Sequence, residues 1–467
     1  MKIKNRETLL AAGDIEARTV VLDIVEESLQ ALDVSRTIER VLSLDGNILR
    51  IGDHRWNLRS KRHVLVIGAG KACNSMAKAV EEKLGNRISR GLVIAKQVEP
   101  GDKLKRIELI EGGHPVPNES GFLASKRILD MVQQADPDDL AIGLISGGSS
   151  ALMACPVRGI TLADEIQLTK ELLHSGARIL EINAVRRHLS ATNGGRLAEK
   201  IEAKGVEMIN LIVSDVVGDG QMADLQHPVS FFGTPVAPDN TTIRDAIATV
   251  EKYDLRSRIP RSIVTHLETD DPDRETPKSF GGPIHNFVLQ TPTDASEAAK
   301  EIAEKKGMCA IILTTMLEGE AREAGTFLAC VAKEIIRNRR PIQPPCVLIA
   351  GGETTTRVEG ASGLGGPSQE LSLGFAQEIA GMPRCCLAAV GTDGTDGPTE
   401  AAGGIVDSTT LIRAQQSNID VYKRLQEHDS HSVLMTLGDA ILTGSTGTNV
   451  CDLNVIFIPG CSKVKRH

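Results

Sequence analysis

The chain has 467 residues, 41% of them hydrophobic, which is enough apolar material for more than one buried core. Its formal net charge of -8 and 2% aromatic content, with Trp56 as the single tryptophan, exclude the basic, base-stacking surface of a nucleic-acid binder and favour a small-molecule partner. Nine scattered cysteines, an odd number with Cys385 beside Cys386, fit neither a disulfide framework nor a C-x-x-C zinc site and read as thiols of a reducing compartment.

The first segment, MKIKNRETLLAAGDIEARTV, lacks the long apolar stretch of a signal peptide, and no later segment approaches a membrane span, so a cytoplasmic protein without membrane partners is expected. From Arg6 to about Leu58 apolar residues recur at three- and four-residue spacing, which predicts helices ahead of the first strand. Short apolar runs then end in glycine and lead into helical segments: HVLVIGAGKA, RGLVIAKQ, IELIEGGHPVP, LAIGLISGGSSALM and INLIVSDVVGDG. Strand alternating with helix predicts an α/β fold, a mostly parallel sheet flanked by helices, with ligand-binding loops at one edge. From about Asp239 to Gly282 a helix pair ending in a polar, proline-containing run reads as a joint, which closes a first domain at residues 1–282, although the leading helices could dock on either half. The alternation restarts in NFVLQT, CAIILTT, CVLIAGGETTTRV, CCLAAVGTDG, SVLMTLG and LNVIFIP, so a second domain of the same kind is expected at 283–467.

Within the first domain, the turn of VIGAGKACNSM carries Gly70 and Lys71. Amides at a helix N-terminus favour an anion, and Lys71 adds a mobile positive charge. The Walker A pattern and the third glycine of a dinucleotide fingerprint are absent, so a Rossmann-like helix-packing turn is the plainer alternative. ISGGSSAL repeats the arrangement with hydroxyls: Ser146, Ser149 and Ser150, with main-chain N–H groups of the loop through Gly147 and Gly148, bind phosphate, or one serine caps a helix and nothing more. No G-x-S-x-G elbow supports a serine nucleophile. EGGHPVPNESG holds His114 on a loop, where an ordinary solvated histidine is the rival reading. NAVRRHLS puts Arg186, Arg187 and His188 on a helix, either as a solvated basic face or as a clamp for carboxylate or phosphate.

Acidic loops supply the opposite sign: Asp215 and Asp219 in IVSDVVGDG, Glu353 in IAGGETTTRV, and Asp393, Asp396 and Glu400 in GTDGTDGPTEAAG. Asp-Gly pairs are ordinary turn chemistry, and Asp396 also reads as the cap of a helix begun by PTEAAGG. Carboxylates on glycine-rich loops suit Mg2+, which takes one or two protein ligands together with phosphate oxygens. Cations and glycine-turn amides for phosphoryl oxygens, with acids for magnesium, are the parts of a phosphoryl-transfer site.

In order along nearly the whole chain, GAGKA, GGHPVP, SGGSSAL, TKELLHSGARILEINAVRRHLS, GGRLA, SDVVGD, AGGETT, GTDGTDGPTEAAG, DSH and TGTNVCDL are similar to the motifs of one family. The chain resembles the glycerate 2-kinases that carry a C-terminal MOFRL domain, formerly often labelled hydroxypyruvate reductases. The resemblance implies two α/β domains, a Rossmann-like N-terminal one and a MOFRL-type C-terminal one. It implies ATP- and Mg2+-dependent phosphorylation of D-glycerate at the 2-hydroxyl, giving 2-phosphoglycerate and ADP, and it leaves room for a homo-oligomer. It marks Lys71 as essential, and in such a kinase an acid such as Asp215 or Asp393 is expected to orient or deprotonate the hydroxyl. Gly70, His114, Gly147, Gly148, Ser149, Ser150, Arg186, Arg187, Glu353 and Gln369 are then expected at substrate or phosphate, and Asp219 and Asp396 at the metal. Three positions depart from the family's habit: Pro367 stands where GGRNQE would place an arginine, Asn193 where a lysine is usual, and SFFGTPVAPD (230–239) replaces the stretch after SDVVGD. Two other functions compete. An NAD(P)H-dependent hydroxypyruvate reductase is opposed by the incomplete glycine fingerprint, and a catalytically silent sugar-acid binding protein is kept open by Pro367.

Overall fold

The computed structural model describes residues 2–98, 101–177, 179–218, 235–269, 271–358 and 363–460. Two compact units divide the chain: Val34–Gln290, and Met1–Asp33 together with Thr291–His467. The expected division at 282/283 differs in two ways. The first helices pack with the C-terminal half, and the second crossing falls after NFVLQT rather than before it.

The unit Val34–Gln290 opens with the helix Val34–Val41, followed by a three-stranded antiparallel sheet, β1 Leu42–Asp45, β2 Ile48–Ile51 and β3 His54–Asn57. The helical pattern expected up to Leu58 therefore ends at Val41, because Asp45-Gly46 and Gly52-Asp53 supply tight turns that break it. Then come β4 Val64–Ala69, β5 Arg90–Ala95, β6 Ile107–Glu111, β7 Leu140–Ser146, β8 Glu207–Val213 and β9 Ile284–Gln290. All five pairings in the order β6-β5-β4-β7-β8-β9 are parallel. NFVLQT is thus the last strand of this sheet. The helix pair expected between Asp239 and Gly282 is present as Ile243–Lys252 and Arg261–Glu268, but it belongs to this unit rather than joining two. Their Ala246, Val250, Ile263 and Leu267 share a core with Leu168, Leu172, Ile182 and Val185. Its apolar residues fall at helical spacing, and burying that stripe outweighs the loop-like prolines around it.

The other unit carries β10 Cys309–Leu317, β11 Cys346–Gly352, β12 Cys386–Gly391, β13 Gly403–Asp407, β14 Ala440–Ile441 and β15 Asp452–Ile458. Their order is β10-β11-β15-β12-β13-β14, with β10 and β11 parallel and the other pairings antiparallel. The α/β class holds, and β10, β11, β12 and β14 share one direction, but β15 inserts between β11 and β12 and makes the sheet mixed. Alternation along β11 sends Cys346, Leu348 and Ala350 into one core and Val347 and Ile349 into the other. Both faces are covered, which explains uninterrupted apolar runs such as CVLIA and CCLAAV. The helix Ile15–Ala31, capped by Asp14 accepting from the Ala17 N–H at 3.1 Å, supplies Val21, Leu22, Val25 and Leu29 to one of those cores. Two local readings change. SVLMTLG belongs to the helix Ser430–Leu437, and the segment after PTEAA forms β13 rather than a helix.

Candidate functional site

In the parallel sheet the strand order reverses at β4 and β7: β5 and β6 lie to one side of them, β8 and β9 to the other. A crevice forms at such a switch point because the loops leaving the two central strands diverge. Lys71 follows β4 there, and the Gly147–Ser150 loop follows β7. The two loops are laced together, the Lys71 N–H donating to the Gly147 carbonyl and the Ala72 N–H to Ser146 Oγ, each at 2.9 Å. His114, after β6, joins them. A Cβ on Gly148 would lie 2.8 Å from His114 Cδ2 and 3.3 Å from Lys71 Cγ, and Gly148 has a φ of +81°, so glycine is required on both counts. Sequence-distant Lys71, His114 and Gly148 therefore meet at one point, with Lys71 and His114 half-buried. Asp215 leaves the neighbouring strand β8 at the same edge.

Other expected residues of this unit have different surroundings. The helix that begins at Ser149 has only four residues, so its dipole adds little to anion binding there. Arg187 Nη1 donates to Asp239 Oδ1 at 2.9 Å with both side chains buried. Burial works to raise the Asp239 pKa, but the Arg187 charge and the Thr241 hydrogen bonds win and hold it below the ordinary range. Arg187 is thereby committed to holding the Asp239 loop. Arg186 has buried Nε and Nη2 atoms that meet no hydrogen-bond partner among the described residues, and its charge acts on Glu165, whose carboxyl pKa burial pushes up to about 7. Asp219 lies outside the described residues.

In the other unit, Glu353 follows β11 and is exposed, while Asp393 and Asp396 follow β12. Asp393 Oδ1 accepts from both the N–H and the hydroxyl of Thr395, at 2.9 and 3.0 Å. Asp396 is buried and sits on the N-terminus of the helix Pro367–Ile379. Its carboxylate accepts from the Ser368 N–H at 3.0 Å, the Gln369 N–H at 2.9 Å and Gln369 Nε2 at 3.0 Å. The capping role expected for Asp396 is real, but it serves a helix earlier in the chain, and three donors leave its oxygens little capacity for a metal. Burial pushes its pKa up to about 6 against those hydrogen bonds. Gln369 is fully buried behind Asp396 and bonds His431.

Sequence reasoning assigned no chemistry to two residues of this rim. Asp452, at the start of β15, is in register with Gly352 on one side and Gly391 on the other, so it lies between the strands that lead to Glu353 and Asp393. His431 bonds Gln369 and faces Glu400. Both sit in motifs, CDL and DSH, whose residue types were the available signal.

Two family models match: a domain of unknown function, DUF4147, over residues 20–268, and the MOFRL family over residues 346–452. The glycerate 2-kinase of Pyrococcus horikoshii is 39% identical over 446 residues, covering 95% of this chain and 98% of the relative. The D-glycerate 2-kinase of Thermotoga maritima is 37% identical, covering 94% and 98%. A crystal structure of glycerate kinase from Thermotoga maritima superposes with a TM-score of 0.75 at 35% identity, covering 94% of this chain and 99% of that one. The chain belongs to the MOFRL-domain glycerate 2-kinases.

As a member of that family it accommodates its departures in definite ways. Pro367 occupies the first turn of its helix, where proline's fixed φ suits the helix and its missing N–H costs nothing. Asn193 is buried and ties the Ser190 hydroxyl to the Ser150 carbonyl, its Nδ2 donating at 3.1 and 3.3 Å. Of the segment 230–239, residues 230–234 lie outside the described residues. Among the described residues no helix is long and apolar enough to cross a membrane.

Proposed function

We propose that this protein phosphorylates D-glycerate at its 2-hydroxyl with ATP and Mg2+, releasing 2-phosphoglycerate and ADP. The observation that carries this reading is the meeting of Lys71, His114 and Gly148 at the β4/β7 switch point, in a chain similar along almost its full length to proteins named glycerate 2-kinases. A lysine and closely approached backbone amides, with no side chain in the way, suit the oxygens of a transferring phosphoryl group. In this reading Lys71 neutralises charge that grows in the transition state. Gly70, Gly147, Ser149 and Ser150 line the anion, His114 holds substrate, and Asp215 orients the acceptor hydroxyl.

Carboxylates at the ends of β11 and β12 suit Mg2+. Among the described residues no three potential ligands close on one point, so Glu353, Asp393 and Asp452 would hold an ion through one or two carboxylates at most. Bound in that way, the metal supplies neutralisation of phosphate charge. The cytoplasm is the proposed location.

A coupled ADP-release assay over D-glycerate, L-glycerate and related hydroxy acids tests the reading directly, with turnover expected on D-glycerate. Lys71→Met is expected to depress kcat by about 100-fold or more, with nucleotide affinity changed far less. Unchanged turnover removes Lys71 from the chemistry. Oxidation of NADH on addition of hydroxypyruvate, with no ADP formed from glycerate, would favour the reductase instead.

A further inference from the structure

Each six-stranded sheet has two edges, where a strand turns N–H and C=O groups outward as a template for another chain, and three of the four edges are guarded. β14 is two residues long, β6 carries Glu108 and Glu111, and β9 holds His285 and Phe287 against the rings of His54 and Trp56 from β3. The fourth edge, β10, is different. Its sequence CAIILTTML runs for nine residues without a charge or a proline. Register shifts against β11 follow Ile312 and Thr314, and Cys309–Ile312 pair evenly. Ile311 and Leu313 lean on the core of Leu348 and Ala350, and Ala310 and Ile312 on that of Val347 and Ile349, yet all four stay half-buried while every residue of β11 is buried. Cys309 is exposed, and Met316 is 61% exposed. No strand among the described residues lies beyond this edge.

The two ends of this strand carry opposite charge. Lys305 and Lys306 stand ahead of it, and Glu318 and Glu320 follow it. Lys305 and Glu318 are both exposed, and Lys305 is engaged by no more than an exposed pair with Glu301 one helical turn back. A parallel neighbour of the same sequence would set like charges side by side, whereas an antiparallel one brings each basic end onto an acidic end, twice over by symmetry. We propose that β10 is a homodimer interface, on which a second copy of this chain lays its own β10 antiparallel and joins two six-stranded sheets into one. The twofold axis of such a pair passes close to Leu313, the middle of the strand, so the same edge serves both chains. Main-chain hydrogen bonds supply the attraction, and the half-buried apolar residues of the two strands cover one another. Pairing uses up the open edge of each chain. Since the other three edges are guarded, assembly stops at two.

Sedimentation velocity of the full chain, with hydrogen exchange read by mass spectrometry, tests the interface. A dimer is expected at micromolar concentration, and the amides of β10 are expected to gain protection as concentration rises through the dissociation constant while those of β6 do not change. A monomer throughout the micromolar range overturns the proposal, whatever part of the chain then covers the edge, as does a dimer in which exchange at β10 ignores concentration. Cys309→Lys and Met316→Lys, at exposed positions, place guarding charges on the strand without touching a core. Together they should weaken the dimer by at least about tenfold with an unchanged circular dichroism spectrum, and an undiminished dimer overturns the proposal. Should that double variant fail to fold, charge reversal at the ends decides. Lys305→Glu and Glu318→Lys each set like charges at both ends of the pair and should each weaken association several-fold, whereas an equimolar mixture of the two variants should regain wild-type affinity in a mixed dimer. A mixture that associates no better than its parts overturns the proposal.

Discussion

Asp396 is an acid whose burial and hydrogen bonding pull in opposite directions. Burial favours its neutral form, three N–H donors at a helix N-terminus favour the charged one, and burial prevails, with a pKa of about 6. A value above that of the unfolded chain means the folded protein binds this proton more tightly. The associated stability is therefore full below about pH 4 and is lost as the pH rises through 6, a change on the order of 3 kcal/mol. Asp396→Asn is expected to flatten that segment of the urea-midpoint profile. It is also expected to cost about 1–3 kcal/mol at pH 7, because an amide NH2 then confronts N–H groups that need an acceptor. An unchanged slope between pH 4 and 6 would show that another group carries it. The sequence marked Asp396 as important but named the wrong helix, since the donors it meets stand 27 and 28 positions earlier in the chain. No local pattern encodes a contact of that range.

At the scale of elements, the helix Ile15–Ala31 is fastened by more than its apolar stripe. Fully buried Arg18 donates through Nε to Asp407 at 2.5 Å and through Nη1 to Asp439 at 2.7 Å and to the Leu9 carbonyl at 3.0 Å. Two desolvated carboxylates thus depend on one guanidinium, although Arg413 also reaches Asp439. Breaking such a group from one side strands the remaining charges, which outweighs the modest net value of the intact bridge. Arg18→Met should therefore destabilise by about 3–5 kcal/mol in chemical denaturation, while the double replacement of Asp407 and Asp439 by Asn on that background should recover part of the loss. Elements with strong periodicity were legible: Ile15–Ala31 as a helix, and β4, β7, β8, β11, β12 and β15 as strands. SVLMTLG was not, because a short apolar run suits either a buried strand or a buried helix and only its packing on the helix Pro367–Ile379 decides. The hairpins of β1–β3 were hidden for a related reason, the apolar spacing of LSLDGNILRIG satisfying two periods at once.

On the scale of the whole molecule, the alternation of strand and helix announces two α/β bodies, and both exist. Hydropathy does not record which body a terminal helix joins, because any apolar stripe fits any open sheet face in principle. Residues 2–33 complete the unit formed by 291–460, so that unit is discontinuous in sequence while Val34–Gln290 is not. Val21, Leu22, Ile24, Val25 and Leu29 share a core with Val347, Ile349, Ala388, Val390 and Val455, all of them at 0% exposure. At about 2 kcal/mol for each buried side chain, the five helix residues contribute on the order of 10 kcal/mol. That matches the entire stability of an ordinary domain, about 5–15 kcal/mol. A chain lacking residues 1–33 should therefore lose the 291–460 unit outright. Hydrogen exchange followed by mass spectrometry is expected to show β11, β12 and β15 unprotected while β4, β7 and β8 keep their protection. Equal loss in both sets would mean that the two bodies unfold as one, and retained protection in β11, β12 and β15 would mean that the sheet holds without its N-terminal cover.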